Sequence, residues 1–155
     1  MTETFKFIID SRKSFIRLID QLSEEELNKI PEGFNNNIIW NFGHIVVSTQ
    51  ILCYIRTGIW EDTSRIKYIN AYKKDTKPTY KVSKDEIEEL KTLAISTIKE
   101  MEEHYEKGVF KDITPYSTAT FGEQLNNFKD VLVTTVGHDN LHYGYALAQK
   151  RTISI

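Results

Sequence analysis

Glycine and proline, the residues that most often interrupt regular structure, are scarce in this chain. Its 155 residues include 7 glycines and 3 prolines, too few for the many turns that a fold of short strands requires. Long segments instead carry apolar residues at steps of three and four, which is the period of an amphipathic helix. We therefore expect an all-α protein.

This period predicts four long helices. They should cover about residues 4–22, 38–57, 84–107 and 121–150. A short helical turn is expected at about 24–30, and the segments 59–82 and 109–120 are predicted to be irregular connections. Four helices with two longer connections indicate a four-helix bundle with long crossover connections. We expect a single domain over residues 1–155.

The expected helix starts carry capping residues. Ser23 with Glu26, and Ser83 with Glu86, have the spacing of a capping box. Residues 35–37 are three asparagines, which are good N-cap residues for the second long helix.

Charge and composition exclude several function classes. The net charge is -2 and the pI about 6.1, so no basic surface for nucleic acid is expected. No uncharged apolar stretch approaches the ~20 residues that span a bilayer. The acidic residue among residues 1–6 and the single cysteine, Cys53, favour a cytoplasmic protein. Cys53 stands in an apolar run, which favours a core residue over a nucleophile.

Three of the four histidines fall on helix faces that should point to the core. One face of the second long helix carries Trp40, His44, Val47 and Ile51, and one face of the last helix carries Phe128, Val131, Thr135, His138, His142 and Tyr145. His138 and His142 are one helical turn plus about 40° apart, so their imidazoles project side by side. This spacing lets one helix offer two nitrogens to the same metal ion.

A metal ion is one explanation of these histidines, and ordinary hydrogen bonding in the core is the other. A third imidazole from a facing helix leaves one tetrahedral corner for water or substrate, as in catalytic zinc sites. Buried imidazole nitrogens without partners would each cost about 1–3 kcal/mol, a cost that a shared cation removes. We predict His44, His138 and His142 as ligands of one divalent metal ion. His104, near the end of a charged helix, is predicted to lie outside the site.

Two glycines directly precede predicted ligands, Gly43 before His44 and Gly137 before His138. A glycine inside a helix costs about 1 kcal/mol relative to alanine, so its presence twice at this place requires a reason. We expect a close approach of the two helices around the ion.

Other residues near the ligands have two interpretations each. Asp139 and Asn140 point away from the predicted ligands by helical angle, and they either orient a ligand imidazole or belong to the polar surface or a dimer contact. Trp40, Tyr143 and Tyr145 either line a substrate pocket or belong to the core, since aromatic residues at helical spacing are typical of both.

Three segments together resemble the DinB/YfiT-like superfamily. They are residues 23–28 (SEEELN), 39–45 (IWNFGHI) and 138–144 (HDNLHYG). Each motif is short, but they occur in the family's order and extend over nearly the whole chain. One position differs, because Tyr145 stands where many members have glutamine, so a substrate contact through that glutamine is not expected here.

The resemblance implies an up-down-down-up four-helix bundle, a homodimer, and zinc or nickel on His44, His138 and His142. Some members are S-transferases that use a low-molecular-weight thiol such as bacillithiol, mycothiol or glutathione, or are mycothiol-dependent isomerases, and others have no assigned activity. The first hypothesis is therefore a metal-dependent enzyme acting on a small-molecule substrate. It is either a thiol S-transferase, as the resemblance implies, or a hydrolase, since a divalent ion with an open position would also activate water. The alternative is a non-catalytic, metal-stabilised dimeric module related to stress, which predicts a fourth ligand from the protein or from a dimer partner, and no cavity.

Overall fold

The periodic apolar segments form helices, and most of the chain is helical. The computed structural model describes residues 2–153. Its helices are α1 (Thr2–Ile19), α2 (Glu24–Asn28), α3 (Ile38–Gln50), α4 (Ile69–Tyr72), α5 (Lys84–Glu106) and α6 (Phe128–Ile153). A π-helical segment, Ile51–Ile55, continues α3, and two short strands, β1 (Tyr116–Ser117) and β2 (Gln124–Leu125), pair antiparallel. The all-α prediction is confirmed.

The capping residues act largely as predicted. Ser23 and Glu26 form a complete capping box at the start of α2. Ser83 Oγ accepts a hydrogen bond from the Glu86 N–H at the start of α5. The Glu86 carboxylate, however, accepts hydrogen bonds from the hydroxyls of Tyr72 and Tyr80 instead of closing the box. This contact ties α4 to α5.

One predicted helix boundary is wrong, and another predicted helix ends close to where it was expected but changes its winding. The last helix begins at Phe128 rather than near residue 121, because the segment before it pairs as β2 and Asn127 Oδ1 then accepts from the Asp130 N–H at 3.1 Å. The second long helix is α-helical only to Gln50, after which the Arg56 N–H donates to the Ile51 carbonyl, five residues back, at 2.9 Å.

The long helices α1 and α3 each pack against both α5 and α6. Every residue of α3 is buried. The window Ile38–Ile55 is long and apolar enough to cross a membrane, but 83% of it is buried inside the protein. That environment is the one expected for the core helix of a soluble protein.

One charged side chain lies at the centre of this packing. Arg12 of α1 donates to the Asp139 carboxylate of α6, to Thr49 Oγ1 and the Ile45 carbonyl of α3, and to the Ala94 carbonyl of α5. Arg12 therefore contacts each of the other three long helices, and its hydrogen bonds offset the burial of its charge.

Candidate metal centre

The three histidines predicted as ligands lie together, one on α3 and two on α6. The ring centroids are 5.2 Å apart for His44 and His138, 4.5 Å for His44 and His142, and 4.6 Å for His138 and His142. One nitrogen from each ring lies within 4.8 Å of the other two. His104 lies apart from them, with its Nδ1 2.8 Å from the Tyr54 hydroxyl.

A backbone carbonyl orients His44. Its Nδ1 is 2.7 Å from the Tyr72 carbonyl oxygen at the end of α4. Because a carbonyl only accepts, Nδ1 carries the hydrogen and the neutral ring keeps its lone pair on Nε2. The Trp40 ring stacks on this imidazole at 4.7 Å and 13°, which fixes the plane of the ring.

An amide side chain orients His142 in the same way. Its Nδ1 is 2.8 Å from Asn41 Oδ1. Asn41 Nδ2 donates to Asn36 Oδ1, to the Asn37 carbonyl and to Gln149 Oε1, so the amide nitrogen is committed and its oxygen must face the imidazole. His142 therefore donates from Nδ1 and keeps the lone pair of Nε2.

His138 has a buried nitrogen that the rest of the described chain does not satisfy. Its Nδ1 is inaccessible to water and has no hydrogen-bond partner among residues 2–153. Leaving such an atom unpaired costs about 1–3 kcal/mol. An unsatisfied ring nitrogen beside two imidazoles with oriented lone pairs is a donor set that fits a divalent metal ion.

Burial keeps all three imidazoles neutral, which is the form that binds metals. Desolvation lowers the pKa of His44 to about 4, and the hydrogen bond to Tyr72 opposes this only in part. Burial likewise lowers the pKa of His138 to about 4 and that of His142 to about 3, with the neighbouring imidazoles adding to the latter. All three side chains are therefore uncharged at neutral pH.

The two glycines next to the ligands make room for aromatic rings. A Cβ on Gly43 would lie 2.5 Å from Tyr72 Cδ1, and one on Gly137 would lie 3.1 Å from Phe121 Cζ. The expected reason, a close approach of the two helices around an ion, is wrong. Gly43 instead lets α4 lie against α3, and that contact brings the Tyr72 carbonyl to His44.

A cavity of about 350 Å³ opens beside the histidines. Its walls combine apolar, hydroxyl-bearing and basic side chains, among them Ile51, Leu52, Phe121, Leu141, Ser48, Thr118, Thr120, Thr134, Arg56 and Lys74. The volume lies at the lower end of the range for small-molecule sites. The arrangement can hold a small ligand directly beside the three imidazoles.

The aromatic residues predicted for the pocket wall do not line this cavity. Trp40 lies behind His44, where its indole N–H donates to the Ala71 carbonyl. Tyr143 packs on Phe15 in the core, and Tyr145 is half exposed. The prediction that Tyr145 shares the buried face of α6 is wrong, because Tyr145 follows His142 by three residues, and this step leaves it about 60° around the helix from His142.

Asp139 and Asn140 point away from the histidines, as their helical angles predict. Asp139 is not a surface residue, since it is 1% exposed and paired with Arg12. Asn140 is exposed and bonds to Ser11 Oγ. Cys53 is buried, and burial raises the pKa of its thiol to about 12, so it lacks the thiolate character of a nucleophile.

The groups that orient the three histidines were not predicted. The sequence contains one signal for Asn41, which is a polar residue in an otherwise apolar run, three positions before His44. A polar side chain on a buried helix needs a hydrogen-bond partner in the core. The Tyr72 carbonyl is a backbone group in a segment without helical period, and no sequence pattern marks it.

The fold and the site define an all-α protein with a three-histidine group suited to metal binding. The chain matches the family model of the DinB superfamily over residues 8–146. It belongs to that superfamily, and the three-histidine group fits metal binding within it. The comparison with curated proteins returned no match.

Proposed function

We propose that the protein binds one divalent metal ion, zinc or nickel, through His44, His138 and His142, and is a metal-dependent enzyme. The observation that carries the proposal is the convergence of three neutral imidazoles beside a cavity. Tyr72 and Asn41 hold two of these rings through Nδ1, so that Nε2 carries the lone pair. Metal-binding histidines usually have such outer support.

The donor set favours a catalytic site over a structural one. Among the residues that the structure describes, no carboxylate or thiol joins the three histidines in their group. Structural zinc sites are closed by four protein ligands, whereas catalytic sites keep a position for water or substrate. The adjoining cavity gives a substrate access to that position.

The proposed reaction is S-transfer from a low-molecular-weight thiol, or hydrolysis of a small substrate. A bound divalent ion lowers the pKa of a water or a thiol and so supplies a nucleophile at neutral pH. In S-transfer the thiol sulfur forms a bond to an electrophilic carbon, the leaving group departs with the bonding electrons, and the thiol proton passes to solvent. The chain itself offers no thiolate, since Cys53 is buried, so the nucleophile comes from outside.

Within the site, the protein's own side chains orient and bind. The Ser48 hydroxyl donates to the lone pair of His44 Nε2 at 3.2 Å. An ion bound to Nε2 would take this lone pair, and the hydroxyl could then hydrogen-bond a ligand at the histidines. The apolar wall formed by Ile51, Leu52 and Leu141 excludes water from one side of the cavity.

A second candidate is a non-catalytic, metal-stabilised dimeric module related to stress. Exposed apolar side chains on α6, Val133, Leu141 and Tyr145, favour a partner surface there. A homodimer, a cytoplasmic location and a bundle with crossover connections are proposed with either candidate. The packing of α1 and α3 against α5 and α6 supports the bundle.

Metal analysis tests the site. Untagged protein should hold about one equivalent of metal, and His142→Ala or His138→Ala should lose it, since two imidazoles bind weakly. The matched control is His104→Ala, which removes the fourth histidine. The proposal is overturned if His142→Ala and the wild type hold equal amounts of metal and circular dichroism shows that both are folded.

A thiol screen separates the enzyme from the module. Zinc- or nickel-loaded protein is assayed with bacillithiol, mycothiol or glutathione and the electrophile monochlorobimane. The enzyme predicts turnover that His142→Ala abolishes and His104→Ala retains. Metal binding without turnover, together with a fourth protein ligand in a crystal structure of the loaded protein, favours the module.

A further inference from the structure

Arg56 reaches the cavity because the helix that carries His44 changes its winding. On a regular α-helix Arg56 would lie about 120° around the axis from His44. The wider turn of the π-helical segment Ile51–Ile55 advances each residue by a smaller angle, and this turns Arg56 back toward the histidine face. Such π-helical turns occur frequently at functional sites.

The guanidinium of Arg56 is held in place by contacts that occupy only part of its hydrogen-bonding capacity. Nη2 donates to the Ser117 carbonyl at 2.9 Å, and the group lies over the Tyr116 ring at 4.7 Å. A guanidinium has five N–H donors, and the hydrogen bond to Ser117 uses one of them. The hairpin of β1 and β2 therefore positions the Arg56 guanidinium, whose other N–H groups can donate hydrogen bonds to a ligand.

Lys74 reaches the same cavity from a different element. It follows Tyr72, the residue whose carbonyl orients His44, by two positions. Its ion pair with Asp75 is 3.7 Å long, and the two side chains are 76% and 84% exposed. A pair this exposed contributes little, so the ammonium group can bind a ligand instead.

The remaining walls are apolar or carry hydroxyl groups. Ile51, Leu52, Phe121 and Leu141 supply the apolar surface, and no aspartate or glutamate lines the cavity among the residues that the structure describes. Both charges on the wall are therefore positive, which is electrostatic complementarity to a negative ligand.

We propose that this cavity binds a small organic anion with an apolar body, whose negative group is held by Arg56 and Lys74. The inference deepens the proposed function, on which it rests for the role of the anion as a substrate. It assigns Arg56 and Lys74 as the residues that determine specificity. The hydroxyls of Thr118 and Thr120 add neutral hydrogen bonds to the same ligand.

The test compares octanoate with octanol, two probes of similar size that differ in charge. Isothermal titration calorimetry of the zinc-loaded protein should show tighter binding of octanoate. Lys74→Met and Arg56→Met should each lower the affinity for octanoate about fivefold, which corresponds to roughly 1 kcal/mol for a partly exposed charge pair. The affinity for octanol should not change. The matched control is Lys73→Met, which removes an exposed neighbouring lysine that does not line the cavity.

Two outcomes overturn the inference. One is equal affinity of the wild type for both probes. The other is octanoate binding that neither Lys74→Met nor Arg56→Met weakens, as expected if the carboxylate binds only to zinc. If Arg56→Met also loses affinity for octanol, the substitution has damaged the cavity. The octanoate affinity of Lys74→Met then decides whether the inference stands.

Repeating the titration with metal-free protein separates this inference from the proposed function. Charge selectivity that depends on Lys74 and persists without metal supports the anion site, even if the metal analysis fails. Zinc binding by the wild type without charge selectivity overturns the anion site alone and leaves the metal site standing.

Discussion

The Arg12 guanidinium and the Asp139 carboxylate form an ion pair with Nε and Oδ2 2.8 Å apart, and both side chains are essentially inaccessible to water. Asp139 follows His138 directly in α6. The pair therefore holds α6 at one rotation about its axis, and that rotation directs His138 and His142 toward His44. Burial raises the pKa of Asp139, and the charge and hydrogen bond of Arg12 oppose this.

Breaking this pair on one side should destabilise the protein strongly. Asp139→Leu leaves the Arg12 charge buried without its partner, and we expect a loss of about 3–5 kcal/mol in the free energy of unfolding, measured in urea. The double variant Arg12→Met/Asp139→Leu should recover part of the loss. Glu103→Ala, which removes the exposed pair with Lys107, should cost less than about 1 kcal/mol. Similar losses for Asp139→Leu and Glu103→Ala would contradict the interpretation.

Removing the amide that orients His142 should weaken metal binding. Asn41→Leu deletes the acceptor 2.8 Å from His142 Nδ1, and we expect a loss of about 10- to 100-fold in affinity, measured by competition with a chelator. Gln149→Leu disturbs the same amide network without touching the imidazole, and should largely preserve affinity. If both variants lose affinity equally, the effect comes from general destabilisation.

Adding a methyl group at Gly43 should disturb both the fold and the site. In Gly43→Ala the new Cβ would lie 2.5 Å from the Tyr72 ring, so α4 must shift and carry the Tyr72 carbonyl away from His44. We expect about 1–3 kcal/mol of destabilisation and weaker metal binding. A Cβ at Gly144 meets no heavy atom within 4 Å, so Gly144→Ala should stabilise α6 by about 0.5–1 kcal/mol. Thermal unfolding of both variants gives the comparison, and equal effects would refute the packing argument.

The metal-free protein should become less stable as the pH falls from about 6.5 to 4. The folded pKa values of His44, His138 and His142 are about 4, 4 and 3, below the unfolded value of about 6.5. Between these limits the unfolded chain binds protons that the folded chain does not, so stability falls with pH by up to about 1.4 kcal/mol per pH unit for each histidine. Above pH 6.5 this contribution is fully present.

Urea unfolding of metal-free protein between pH 7.5 and 4.5 checks this dependence. His142→Ala should show a shallower fall than the wild type, because one proton fewer distinguishes its folded and unfolded states. Parallel curves for the two proteins would show that His142 does not contribute.

Much of the candidate site could be predicted because it depends on local geometry. The four-residue spacing of His138 and His142 determines their relative direction on any α-helix. The apolar period around His44 likewise indicated a buried face. The start of α6 could not be predicted in this way, since it depends on the pairing of β1 with β2, and the period of residues 121–127 resembles that of a helix.

The sequence by itself determined the helical class, the capping residues and the helix faces on which the three histidines lie. Each of these follows from neighbouring residues along one stretch of chain. Only the tertiary structure decided which groups orient these histidines. Asn41 on α3 meets His142 on α6, and the Tyr72 carbonyl meets His44, because Gly43 lets an irregular segment lie against α3. These contacts depend on how whole elements are placed relative to one another, and all packing interactions together determine that placement. The residue pattern within one element therefore does not predict them.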